Sequence, residues 1–160
     1  MPPELLSFDG DWQSYEDMIY AAYMETIVNS GLMFRSAPVK SQYRPETKGK
    51  GFGFWHAISE SSSHQSRSED ERTPDLRRCE RIRWIAWAIE NAGQLGFLCW
   101  ENQRYGEARV IIWAEAHDYV VVLAPRNNYY LLKSAYVVDK PHRRQSFRVE
   151  YDAYCKLRKG

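Results

Sequence analysis

The 160-residue sequence lacks any long apolar run. A helix that crosses a bilayer needs about 20 consecutive, mostly apolar residues, and no stretch of even about 18 occurs, so we expect no membrane span. The first residues, MPPELLSFDGDW, also lack the basic and apolar segments of a secretory signal. Together these absences favour a cytoplasmic protein.

Cysteine is scarce, and familiar catalytic motifs are missing. The three cysteines, Cys79, Cys99 and Cys155, are far apart and form neither a CxxC pair nor a zinc pattern with the four histidines. The sequence has no Gly-rich phosphate loop, no HExxH, no GxSxG and no diagnostic pair of carboxylates. We therefore expect reduced cysteines, no metal and no cofactor, so that any catalysis relies on acid–base and cationic side chains.

Basic residues are absent from the start of the chain. Residues 1–30 contain six acidic residues and no Lys or Arg, whereas residues 133–160 contain eight Lys or Arg and three acidic residues. The net charge of +1 hides this asymmetry. Two interpretations stay open: the acidic and basic ends lie close together, or the basic half faces a polyanion such as nucleic acid.

Apolar periodicity predicts three helices within one domain, residues 1–160. Residues 11–30 carry apolar side chains at helical spacing. A second helix is expected over residues 73–93, with Thr73 as its N-cap and a proline in the first helical position. A last, basic helix is expected over residues 142–157.

Strand-like segments dominate the second half of the chain. We expect a short strand and a loop in residues 32–50, a strand or a sharp strand-to-loop turn in residues 51–60, and an exposed, mobile loop in residues 61–72. After Gly96, short polar connections separate four apolar segments, which predicts an antiparallel meander. These segments are LCWENQ, EARVIIWAEA, DYVVVLAPR and YYLLKSAYVV.

This order of elements predicts an α+β fold. The N-terminal helices should pack on one face of a roughly four-stranded antiparallel sheet, with a C-terminal helix after it. The opposite face of the sheet would then be open, and a functional site is expected there.

The segment FGFWHAISE offers two candidate residues. His56 is either a structural histidine in an apolar stretch or a proton-transfer group, since its ordinary pKa lies near neutral pH. On a strand, Glu60 would share a face with His56. It would then orient the imidazole or act as a base; otherwise it is the polar end of the strand.

Arginines provide the candidate phosphate ligands. Arg78 and Arg81 belong to an arginine-rich stretch, LRRCERIRW, which is either a solvated helix face or a phosphate contact. Arg126 follows the apolar strand YVVVLAP, where it either holds a phosphate or serves as a turn residue.

The last apolar segment, YYLLKSAYVV, has a polar centre. Strand alternation places Ser134 and Tyr136 on one face and Lys133 on the other. Ser134 and Tyr136 are therefore candidates for hydrogen bonds to a phosphate or for contacts with a base. Lys133 is expected to be a solvated or edge residue unless a bulge turns it round.

Three segments together carry a family resemblance: FGFWHAISE, EDERTPDLRRCERIRWIAWAI and YVVVLAPRNNYYLLKSAYVV. Over roughly residues 50–140 the chain resembles the BECR group of metal-independent endoribonucleases, which gathers barnase-like, EndoU-like, colicin-like and RelE-like proteins. It is most similar to the phage-associated type, with a Trp–His segment, an Arg-bearing helix and a last strand of the form LLTAY. This chain has KSA where TA is usual.

The resemblance implies RNA cleavage without a metal. A base removes the 2′-hydroxyl proton, the 2′-oxygen attacks the phosphorus, and an acid protonates the leaving 5′-oxygen. The implied catalytic residues are His56, Arg126, Ser134 and Tyr136. The candidate substrate-binding residues are Arg81, Arg78, Lys133 and Glu60, with Arg81 preferred to Arg78.

A toxin-like endoribonuclease implies RNA as substrate and an antitoxin or immunity protein as partner. Two alternatives stay open. One is a non-catalytic RNA- or DNA-binding module on the same fold. The other is a phage-type protein-interaction module, such as an inhibitor of a host enzyme.

Overall fold

The computed structural model describes residues 1–61 and 72–159. Helix α1 spans Trp12–Tyr23 and continues as a π-helical turn over Met24–Val28. Its buried side chains recur at helical spacing, which buries one face of the helix in the main apolar core. They are Tyr15, Ile19, Tyr23 and Ile27. The helix predicted over residues 11–30 is therefore confirmed.

The apolar segment after residue 50 is a helix, so the strand or turn expected there is wrong. After strands β1 (Met33–Phe34) and β2 (Ala37–Lys40), helix α2 spans Phe52–Ile58 and β3 spans Ser59–Ser61. Residues Phe54, Trp55, Ala57 and Ile58 are all buried. Apolar residues occupy nearly every position of this short segment. Its sequence therefore shows no periodicity that distinguishes a helix from a strand.

The predicted second helix is two short helices. Strand β4 (Arg72–Pro74) pairs with β3, and α3 (Leu76–Glu80) and α4 (Trp84–Glu90) follow. The N-cap is Asp75, which accepts a hydrogen bond from the Arg77 N–H at 2.9 Å, and not Thr73. The predicted loop over residues 61–72 lies mainly outside the described residues.

The break between α3 and α4 has a packing reason. The N–H groups of Arg81 and Ile82 bond three residues back, to Arg78 and Cys79, as in a 3₁₀ turn. Residues three apart then share one side, so that Cys79, Ile82 and Ile85 all enter the core.

The predicted meander and the last helix are confirmed. Strands β5 to β8 pair antiparallel in sequence order. They span Phe97–Arg104, Glu107–Ala114, Tyr119–Pro125 and Tyr130–Val137. Helix α5 spans Pro141–Lys159. In the described part of the chain no helix, α5 included, is long and apolar enough to cross a membrane.

The sheet is larger than the predicted four antiparallel strands. It has six strands in the order β1-β2-β8-β7-β6-β5, and it is mixed because β2 runs parallel to β8. The α+β class is therefore confirmed, whereas the strand number and the purely antiparallel pairing are wrong. β1 and β2 are too short to show a two-residue period, and Pro38 in β2 obscures the pattern further.

Helices cover both faces of the sheet, so the expected open face is partly closed. One face packs against α1–α4, with Val110, Ile112 and Leu123 fully buried. The other face packs against α5, where the Phe147 ring lies 5.6 Å from the Trp100 ring. α5 lies mainly over β5, and the part of this face formed by β8 borders a cleft.

Candidate functional site

A cleft of about 690 Å³ lies between α5, α3 and the strands that α5 leaves uncovered. We call it the basic cleft because six cationic side chains line it against three acidic ones. The cationic residues are Arg77, Arg78, Arg104, Arg109, Lys140 and Arg143. The acidic residues are Asp75, Asp139 and Glu150.

Two hydroxyl side chains of β8 line the floor of the basic cleft. Ser134 and Tyr136 are half-buried, while Ala135 between them packs into the core on the other face. Neither hydroxyl has a hydrogen-bond partner among the described residues. The prediction that Ser134 and Tyr136 share one face of the strand is therefore confirmed, and this face borders the cleft.

Tyr136 lies at the centre of the positive charge. Burial raises the pKa of its phenol above the ordinary value, and four nearby guanidinium groups act against this rise. These groups belong to Arg143, Arg104, Arg78 and Arg109. Because burial dominates, the phenol is protonated at neutral pH and is available as a hydrogen-bond donor.

Arg78 connects the cleft floor to α2. Its Nη1 donates to the carbonyl oxygens of His56 at 3.2 Å and Ser59 at 3.0 Å. Its guanidinium lies 5.7 Å from the centre of the Tyr136 ring. The side chain is only 12% exposed, so these contacts fix its direction. Arg78 therefore holds a charge beside Tyr136 in a defined position.

The acidic residues of the cleft form hydrogen bonds or ion pairs with neighbouring side chains. Arg77 Nη1 contacts Asp139 Oδ2 at 2.9 Å, and this bond lowers the pKa of Asp139. Glu150 Oε1 accepts hydrogen bonds from Trp100 Nε1 at 2.5 Å and Asn102 Nδ2 at 2.8 Å, which anchors α5 on β5.

Three cations of the cleft are not neutralised by an acidic neighbour in the described part of the chain. Arg104, Lys140 and Arg143 are exposed and form no ion pair with any described residue. Arg109 Nε is buried and lacks a hydrogen-bond partner among the described residues. The cleft cations that lack an ion pair in the described part of the chain therefore lie at the end of β5 and around the start of α5.

A second group of cations surrounds Glu107, on the same sheet face as Arg109. Its oxygens lie 3.0 Å from Arg126 Nη2, 3.5 Å from Arg109 Nη2 and 3.9 Å from Lys133 Nζ. Partial burial acts to raise the pKa of Glu107, but the bond from Arg126 and the charges of Lys133 and Arg109 lower it overall. We call these four residues the Glu107 cluster.

A β-bulge explains why Lys133 belongs to this cluster. Leu132 pairs with Leu123 and Ser134 pairs with Val122, so Lys133 has no partner in the register. Simple alternation assigns Lys133 to the face opposite Ser134, and the bulge reverses this. Its ammonium consequently reaches Glu107 on the same face as Ser134.

The structure brings some of the predicted site residues together. Ser134, Tyr136 and Arg78 line the basic cleft. Arg126 and Lys133 lie outside its lining, in the Glu107 cluster, which Arg109 connects to the cleft.

The other predicted residues do not join them. The Arg81 guanidinium lies 5.1 Å from the Trp84 ring centre and donates to the Arg77 carbonyl, so the geometry favours Arg78 over Arg81. The His56 imidazole stacks on Phe52 at 3.9 Å and does not line the cleft.

Glu60 has no common strand face with His56, because residues 52–58 are helical. Its backbone pairs with Thr73 in the β3–β4 ribbon. The Glu60 side chain lies outside the described residues.

No motif or local pattern in the sequence singles out four of the cleft cations. These are Arg104, Arg109, Lys140 and Arg143. Lys140 and Arg143 belong to the basic part of the chain after position 133, for which a polyanionic partner is one interpretation of the sequence, but this interpretation chooses no individual residues. The register of the β5–β6 hairpin decides that Arg104 and Arg109 lie at the cleft. In this register Arg109 pairs with Asn102 on the cleft floor.

The cleft offers cationic and hydroxyl donors for an anionic ligand. Among the described residues, no group of three or more His, Cys, Asp or Glu side chains is placed to hold a metal ion. None of the side chains that line the basic cleft is an imidazole. The cleft therefore presents guanidinium, ammonium and hydroxyl donors, which are groups that suit an anion such as a phosphate.

Comparisons of the chain with protein-family models, with curated proteins and with solved structures find no match. The resemblance to the BECR endoribonucleases therefore stays a prediction from the sequence.

Proposed function

We propose that the basic cleft binds the phosphates of RNA and that the protein is a metal-independent endoribonuclease. The observation that carries this proposal is the convergence of six cations and two β8 hydroxyls on one cleft. Planar guanidinium groups match the geometry of phosphate oxygens, and hydroxyl donors complete such a site.

A polyanion suits this site better than a small anion. The positive charge does not end at the cleft, because Arg109 leads to Arg126 and Lys133 in the Glu107 cluster. A chain of phosphates would engage both groups of cations at once.

The groups in the cleft suit part of the cleavage reaction. The 2′-oxygen attacks the adjacent phosphorus, the bond from phosphorus to the 5′-oxygen breaks, and the products are a 2′,3′-cyclic phosphate and a 5′-hydroxyl. The protonated Tyr136 phenol would donate the proton that the leaving 5′-oxygen takes up. Arg78, Arg104 and Arg143 would stabilise the charge on the phosphoryl oxygens.

His56 would be the base that accepts the 2′-hydroxyl proton, as the sequence predicts. Its imidazole does not line the cleft, however, and it is the His56 carbonyl, through Arg78, that connects to the cleft. This observation favours a second function, a non-catalytic RNA-binding module that uses the same cleft. The two functions share the binding site and differ in whether the bound RNA is cut.

Cleavage assays in EDTA separate the two functions. Purified protein would be incubated with a mixed RNA beside Tyr136→Phe, which removes one hydroxyl, and His56→Ala. The endoribonuclease predicts 2′,3′-cyclic phosphate ends and a loss of rate of about 10²–10⁴-fold in Tyr136→Phe.

Control measurements keep binding and cleavage apart. Tyr136→Phe should retain most of the RNA affinity, because it removes one hydroxyl donor and the arginines remain. Equal, trace-level cleavage by the wild-type protein and both variants, with RNA binding intact, would reject the enzyme and leave the binding module.

A further inference from the structure

The turn between β5 and β6 exposes an aromatic residue. Arg104 and Glu107 form the last pair of the two strands, so Tyr105 and Gly106 make a two-residue hairpin loop. Both have positive φ, +53° for Tyr105 and +74° for Gly106. The Tyr105 side chain is 92% exposed.

Neither the turn nor the core accounts for a tyrosine here. Two-residue hairpin loops with positive φ at both positions favour Asn-Gly, because Asn tolerates the left-handed conformation and a bulky side chain does not. The Tyr105 ring buries almost no surface, and among the described residues it stacks on no other ring.

The position of the hairpin tip relates Tyr105 to the proposed RNA site. Arg104, the preceding residue, lines the basic cleft, and Glu107, two residues later, is the centre of the Glu107 cluster. Tyr105 therefore stands beside the route between the two groups of cations. A nucleic-acid strand whose phosphates follow this route would pass the tip of the hairpin.

We propose that Tyr105 is a stacking platform for a base of single-stranded RNA bound in the basic cleft. This inference rests on the proposed function and adds the substrate class to it. Aromatic side chains beside a basic groove stack on unpaired bases of any sequence. In a duplex the base faces are already stacked on each other, so only an unpaired strand offers a face to Tyr105.

The test compares two strands of equal length that differ only in their bases. One is a short oligoadenylate, and the other is an abasic ribose-phosphate strand. Tyr105→Asn removes the ring and supplies the residue that the turn prefers, so the fold should be retained. Tyr105→Phe is the matched control, because it keeps the ring and loses only the hydroxyl.

Tyr105→Asn should weaken oligoadenylate binding by roughly 5- to 150-fold and leave abasic-strand binding unchanged. Tyr105→Phe should bind both strands as the wild type does. Unchanged oligoadenylate affinity in Tyr105→Asn, or an equal loss for both strands, would overturn the platform. If the wild-type protein binds neither strand, the RNA site itself is rejected, which is a different result.

Discussion

The two faces of the six-stranded sheet differ in what covers them. α1–α4 cover one face with a continuous apolar layer, in which Val110, Ile112 and Leu123 are fully buried. On the other face α5 buries Trp100 and Trp113, but the same face continues into the basic cleft. The comparison indicates a division of roles: the first face supplies stability alone, whereas the second combines an apolar layer under α5 with the candidate site where helical cover ends.

The largest expected effect is on the fully covered face. Ile112→Ala should lower the free energy of unfolding by about 2–5 kcal/mol, because it leaves a cavity among side chains that cannot close it. Urea denaturation measures the change. RNA affinity, corrected for the folded fraction, should stay at the wild-type value.

A matched truncation on α5 provides the control. Val149 is 58% exposed, so Val149→Ala should change stability by no more than about 0.5 kcal/mol. A similar loss of stability in both variants would show that burial of the Ile112 side chain is not the cause of the loss.

A smaller effect on stability is expected at Arg78, which both supports the fold and lines the basic cleft. Arg78→Met should cost about 1–3 kcal/mol, since the carbonyls of His56 and Ser59 lose a charged donor. It should also weaken RNA binding, because a cation leaves the cleft. Denaturation and fluorescence anisotropy with a labelled RNA measure the two effects.

Arg83→Met removes an exposed arginine just before α4 that is not part of the cleft lining. It should leave RNA binding unchanged and serves as the control for Arg78. If Arg78→Met lowered stability alone, Arg78 would be a structural residue without a role in the cleft.

The smallest effect is expected at Glu107. The surrounding cations lower the folded-state pKa of Glu107, so its ionised form contributes stability that is present above the unfolded-state pKa. That contribution is lost as the pH falls through the lowered folded-state pKa. Glu107→Gln should therefore cost less than about 1 kcal/mol at neutral pH, and its difference from wild type should vanish in acid.

The same variant should bind RNA more tightly, since Glu107→Gln leaves Arg126, Lys133 and Arg109 without their carboxylate partner. Anisotropy titrations at neutral pH measure the gain. Unchanged binding in Glu107→Gln would show that the Glu107 cluster lies outside the path of the RNA.

Much of the fold is readable from local sequence pattern. The apolar segments from LCWENQ to YYLLKSAYVV, with their short polar connections, predict β5–β8 in the order found. The pattern fails where burial is nearly complete, as in Phe52–Ile58, and where elements are very short, as in Met33–Phe34. In such segments tertiary packing decides the conformation, and the apolar residues show no periodicity that identifies a helix or a strand.

The candidate site is only partly readable for a related reason. Alternation along β8 places Ser134 and Tyr136 correctly, because it is a local property of a strand. The position of Lys133 depends on a bulge, and that of Arg109 depends on pairing with a distant residue. Which of many arginines faces the cleft is therefore fixed by register and helix packing.

The central claim is that the basic cleft is the RNA site, and the salt dependence of RNA affinity tests it most directly. Arg143 in the cleft and Lys156 near the other end of α5 are both exposed, and each contributes one charge to the same helix. Plots of log Kd against log salt for a single-stranded RNA would compare Arg143→Gln with Lys156→Gln. We predict that Arg143→Gln lowers the slope by about 0.7, the value for one lost phosphate contact, while Lys156→Gln keeps the wild-type slope. Equal slopes for the wild type and both variants would contradict the assignment of the cleft.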